Sequence, residues 1–189
     1  MTRREADEYN NFLKKELEQT SLEYGMGEAV GDYLVDHFIT VIPEDARKGM
    51  VFLGEKSASY KAGNVKIDFK KALIAGLELA LSISEPENIF NYIQLMIASA
   101  FFIVKSVKRE IRQMESWIVY CLHEKNAYGT GVEEDSIVNE VQEWYQQKEG
   151  KNLECDRICE ALNSLYEGRI VEFNSGKVYL REKVFGKVS

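Results

Sequence analysis

The chain has 189 residues, enough for one domain or two small ones. Its hydrophobic fraction is 45% and its charged fraction 29%, the balance of a folded globular protein, which excludes disordered and fibrous classes. With 24 Lys+Arg against 31 Asp+Glu the formal net charge is -7, which argues against a protein that coats nucleic acid or an anionic membrane.

Thr2 and Glu5 have the spacing of a capping box, so a helix is expected from about Arg3 to Glu23. Gly25 and Gly27 break it. A second helix is expected from about Gly27 to Ile42, with Ala29, Val30, Tyr33, Leu34, His37, Phe38 and Val41 at helical spacing and Pro43 as its stop. Between Gly49 and Asp68 the pattern changes to a small β-excursion, with strands at Met50–Leu53 and Val65–Ile67. A helix from Phe69 to Ser82 follows, and Ser84 with Pro86 restarts another through Ile89, Ile93 and Ile97. That helix is apolar on nearly all sides and belongs at the centre of a core. Its apolar run, Ile89 to Val104, is shorter than the roughly 20 residues of a membrane span and holds Asn91, Gln94 and Ser99, so no membrane role is expected. A break near Lys105–Lys108 sets the expected domain boundary, a helical domain over 1–105 and a second domain over 106–189.

The second domain reads as three helices and a hairpin. Their apolar stripes are Ile111, Met114, Ile118, Cys121 and Leu122; then Ile137, Val138, Val141, Trp144 and Tyr145, with Asp135 as a possible cap; then Cys155, Ile158, Cys159, Leu162, Leu165 and Tyr166. After Gly168, a strand at Arg169–Phe173, a turn at Asn174-Ser175-Gly176 and a strand at Lys177–Val184 close the pattern. The run Glu160–Val184, an apolar helix, a Gly stop, a strand, an Asn/Gly turn and a strand with an aromatic, resembles the third helix and wing of the winged helix-turn-helix superfamily. The expected fold is therefore mainly α (α+β), a helical N-terminal domain followed by a winged-helix C-terminal domain.

The resemblance implies a third helix laid in a DNA major groove and a wing against the backbone. On that reading Arg157, Ser164 and Arg169 would supply or position base contacts, and Lys177, Arg181, Lys183 and Lys187 would meet phosphates. The charges oppose it. The outward face of the third helix is expected to present Leu153, Arg157, Glu160 and Ser164, flanked by Asp156 and Glu167, so one cation stands against three carboxylates where a DNA reader places cations. Residues 108–189 carry fewer cations than carboxylates, so the module is itself acidic.

Other candidates are weaker. Cys121 with His123, and Cys155 with Cys159, are thinkable zinc ligands, but the cysteines fall on apolar stripes and are expected in the core. His37 is expected as a core or interface group, and Glu28, Asp32 and Asp36 as a solvated ridge rather than a cation site. Gly54-Glu55-Lys56-Ser57 lacks the upstream glycine of a phosphate loop. Trp117 is placed to pack near the domain junction. Only 2 histidines are present, and no catalytic motif is recognisable, so no enzyme, cofactor or metal is expected. No secretory leader is expected behind Met1, and 3 cysteines without a disulfide framework suit a reducing cytoplasm. The expected job is a non-catalytic protein–protein interaction or assembly module, self-associating as a homodimer through the N-terminal helices. A DNA-binding transcriptional regulator is the alternative, and an acidic DNA mimic a minor one.

Overall fold

The computed structural model describes residues 1–43, 63–82 and 86–187, with side chains outside 79–88. The expected strand at Met50–Leu53, the Gly54–Ser57 loop and the Ser84 cap lie outside the described residues. The protein is mainly helical with two small antiparallel sheets. Along the chain run α1 (Arg3–Glu23), α2 (Glu28–Phe38), β1 (Ile39–Val41), β2 (Val65–Ile67), α3 (Phe69–Ser82), α4 (Pro86–Lys105), α5 (Gln113–Glu124), β3 (Val132–Glu133), α6 (Glu134–Glu149), α7 (Cys155–Glu167), β4 (Val171–Asn174), β5 (Lys177–Leu180) and β6 (Val184–Gly186).

The capping box forms: Glu5 N donates to Thr2 Oγ1 at 3.3 Å and Thr2 N to Glu5 Oε2 at 2.6 Å. α1 and α2 make an antiparallel pair in backbone contact. A Cβ at Gly31 would lie 2.5 Å from the Leu17 carbonyl, so a side chain there would push the two helices apart. The second helix is shorter than its periodicity suggested. It ends at Phe38, because the β-branched run Ile39-Thr40-Val41-Ile42 ahead of Pro43 favours extended backbone.

β1 pairs with β2, and β2 with β6, both antiparallel. Val65 and Ile67 of β2 are buried and stand opposite Gly186 and Val184. The strand expected over Lys177–Val184 is thus two. β5 ends at Leu180, and the chain then crosses to the other sheet as β6. The second sheet has the order β3-β5-β4. Its hairpin turns at Ser175 and Gly176, both at positive φ (52° and 76°), the geometry that matches strand twist in a two-residue loop.

α4 and α5 form the centre. On α4 the consecutive residues Leu95 to Ala100 are all buried, Ser99 satisfying its hydroxyl on Leu95 O at 2.7 Å. α5 is buried from Glu115 to Val119 and again at Cys121 and Leu122. Between them the chain turns at Ser106 (φ 55°), close to the expected break, and runs as a linker over 106–112. One continuous buried core extends from Leu13 to Val184. No helix among the described residues is long and apolar enough to cross a membrane.

Candidate interaction surface

α7 carries the residues proposed to face a partner. Its buried side consists of Ile158, Ala161, Leu162, Ser164 and Leu165. Three placements differ from the sequence expectation. Leu153, expected on the outward face, is buried just before the helix, and with Leu153 sealing this end Cys155 is exposed and Cys159 half-buried. Ser164, expected on the outward face, is buried, with no hydrogen-bond partner for Oγ among the described residues. It shares a side of α7 with Ala161 and Gly168, and Gly168 packs on the Phe101 ring of α4. A second helix therefore covers a side of α7 that a single apolar stripe leaves open.

The outward residues are Asp156, Arg157, Glu160, Asn163, Tyr166 and Glu167. Two of the carboxylates are met by the linker. Arg109 Nη1 lies 3.6 Å from Glu167, with its guanidinium 4.8 Å from the Phe101 ring centre, and Arg112 Nη1 lies 4.0 Å from Glu160. Arg112 also donates to Glu115 Oε1 from Nε and Nη2 at 3.3 and 3.2 Å. Glu115 is 1% exposed and its Oε2 has no partner among the described residues, so Arg112 provides its charge compensation there. The linker is held from its other side by Tyr24, whose hydroxyl accepts from Ile111 N at 2.8 Å, and by Gln94 Nε2, which donates to Ile111 O at 2.6 Å.

The four cations expected on a wing do not form one strip. Lys177 on β5 lies 3.5 Å from Glu133, and Arg181 Nη2 lies 2.6 Å from Glu172. Lys183 and Lys187 flank β6 in the other sheet, exposed and without ion pairs among the described residues. The sequence grouped the four because it read β5 and β6 as one strand. Arg169, at φ 57°, donates from Nη1 to Phe185 O at 3.3 Å. Arg157 is exposed, without an ion pair among the described residues. Beside this face stand two aromatics that the sequence reading passed over as contacts, Tyr166 (55% exposed) and Phe173 (37%), with ring centres 5.6 Å apart. Tyr166 had been assigned to the apolar stripe of its helix. Its place beyond Leu165, next to Glu167, was the available signal.

The remaining candidates resolve as follows. His37 is exposed, contrary to a core position, and its Nδ1 lies 3.0 Å from Tyr33 O with the two rings 4.2 Å apart. Asp36 pairs with Lys14 at 2.8 Å, which ties the carboxylate ridge to α1 instead of leaving it free. Trp117 packs between Phe90 of α4 and Tyr145 of α6 at 6.4 and 6.1 Å. Trp144 is half-buried against Tyr120. Asp135 does not cap α6, whose N-cap is Glu133. Cys121 is fully buried, and burial pushes its thiol up to about 12. Among the described residues no group of three or more His, Cys, Asp or Glu is arranged to hold a metal. A cavity of about 360 Å³ lies between α1, α4 and the linker, and a Lys108–Glu16 pair at 2.8 Å stands at its wall.

No protein-family model matches this chain, and no curated protein or solved structure is significantly similar to it.

Proposed function

We propose that the protein is a non-catalytic interaction or assembly module of the cytoplasm whose C-terminal part is an acidic winged helix. The order helix, strand, helix, helix, hairpin, with the short strand β3 beside β5, supports the superfamily reading. One observation carries the functional reading. The surface a DNA reader would use has no cationic strip on α7: Asp156, Glu160 and Glu167 stand there with Arg157, and the linker arginines Arg109 and Arg112 are engaged by Glu167 and Glu160. DNA carries one negative charge per roughly 1.7 Å of helix axis, and α7 offers it no excess of positive charge. At the wing, Lys177 and Arg181 are already engaged by Glu133 and Glu172. The exposed Tyr166 and Phe173 beside it are of the residue type that anchors protein–protein interfaces.

Self-association through the N-terminal helices belongs to the same reading. Phe12 is 45% exposed on α1, its ring 6.0 Å from Tyr9 and 5.8 Å from Phe102 of α4, an aromatic group open to solvent.

A mobility-shift series with duplex DNA against salt tests the proposal. No retardation is expected at low salt, and none should appear or vanish on changing Arg181, Lys183 and Lys187 to Ala. Retardation that falls steeply with salt and is lost in that variant would replace the proposal with the DNA-binding one. In sedimentation equilibrium the chain should dimerise, and F12E should shift it to monomer. A monomer at all concentrations would remove the self-association part.

A further inference from the structure

We infer that the cavity between α1, α4 and the linker is a binding site for a small organic cation, an ammonium head on a short apolar body. The inference is independent of the proposed partner surface. The cavity holds about 360 Å³, within the roughly 300–1,000 Å³ of small-molecule sites. Its lining has two parts. Leu17, Thr20 and Tyr24 of α1 and its C-cap, with Ala98 and Phe102 of α4, give apolar and aromatic surface. Both sets follow three-and-four spacing, so each stands on one face of its helix. The Thr20 hydroxyl is satisfied by Glu16 O at 2.7 Å and adds no open polar group to this surface.

The charged part consists of Glu16, Glu23, Lys108, Arg109 and Glu110. Its two cations are already engaged. Lys108 Nζ lies 2.8 Å from Glu16 and donates to Gln19 Oε1 at 3.3 Å. Arg109 lies against the Phe101 ring and Glu167. Glu23 and Glu110 have no ion pair among the described residues, so they set the sign of the lining. They also lie near each other. Burial raises the Tyr24 pKa, Glu110 and Glu23 both act on that hydroxyl in the same direction, and its bond from Ile111 N opposes them. An anion entering here would meet two carboxylates and no free cation. A neutral apolar molecule would cover them without compensation. An ammonium group gains charge-assisted hydrogen bonds from the carboxylates and attraction from the neighbouring Tyr24 and Phe102 rings.

The probe is phenylethylammonium, with 2-phenylethanol and 3-phenylpropionate as its neutral and anionic counterparts. Each is titrated into the full chain at low salt and followed by calorimetry and methyl NMR. Phenylethylammonium should bind one equivalent with a Kd below about 1 mM, and the Leu17, Thr20 and Ala98 methyl signals should move most. Each counterpart should bind at least about 10-fold more weakly. E23Q and E110Q should each weaken phenylethylammonium binding by about 10-fold. The double variant should hold it no better than 2-phenylethanol. Both glutamates are exposed, far-UV circular dichroism checks the fold of the variants, and the three probes on wild type need no variant. A Kd above about 1 mM, equal binding of either counterpart, or methyl shifts centred away from α1 and α4 would overturn the site.

Discussion

Among the described residues the two sheets have three strands each, and they are held in different ways. β4 and β5 close around a two-residue turn, while β3 reaches β5 from across α6 and α7. β6 joins the β1–β2 pair from far along the chain, and each of these three strands is only three residues long. Such short strands have little ladder of their own. They persist because Val65, Ile67 and Val184 are buried in the shared core, and because β6 lies against α4, where Gly186 leaves room for the Ile103 carbonyl. The β4–β5 hairpin is held by its turn, whereas the β1-β2-β6 sheet depends on tertiary packing.

The largest test of that contrast is Gly186→Val. A Cβ there would sit 2.1 Å from Ile103 O, which is backbone and cannot give way, so the variant should lose more than about 3 kcal/mol in urea denaturation. Because the core is continuous, unfolding should be lost or gained as one transition, and a separate transition for the β3-β5-β4 part would break the comparison. Next, Val178→Ala removes a buried side chain from the β4–β5 hairpin and should cost about 2 kcal/mol by the same measurement. Gly176→Ala is smaller. The position has open space but φ of 76°, so the cost should be about 1 kcal/mol of backbone strain, with the fold and the core signals of an NMR spectrum unchanged.

The smallest effect lies between the sheets. Lys70 of α3 pairs with Glu182 at 2.7 Å and lies 4.4 Å over the Tyr128 ring, and the Tyr128 hydroxyl meets His123 Nδ1 at 2.6 Å. Burial lowers the His123 pKa, with Lys70 acting in the same direction and Glu124 against it. The unfolded chain then takes up the proton more readily. Stability is complete above the unfolded histidine pKa, near 6.5, and falls as pH drops from there toward the folded value. H123Q should flatten that slope in thermal melts taken across this window. An unchanged slope would remove His123 from the account.

The sequence was most readable where the physics is local. The Thr2–Glu5 box, the Asn174-Ser175-Gly176 turn and the all-round apolar character of α4 each depend on neighbours in the chain, and each is found as expected. β1 was hidden because helical spacing and a β-branched run compete over Ile39–Val41, and the choice is made by a strand far away in sequence. The candidate interaction surface was half legible. Its acidic sign follows from composition, but a stripe of apolar residues reveals one packing partner, and α7 has more than one. Ser164 and Gly168, small residues near the end of a helix, were the trace of the second. Arg109 and Arg112 were invisible as partners of α7 because ion pairs across a linker leave no periodic pattern.

The placement of β6 matters for how the chain is made. Translation delivers β1 and β2 early, while the strand that covers the far edge of β2 leaves the ribosome only after α3 through β5. During that interval a backbone edge with unpaired amides and carbonyls stands open beside apolar side chains, the kind of edge that captures stray strands.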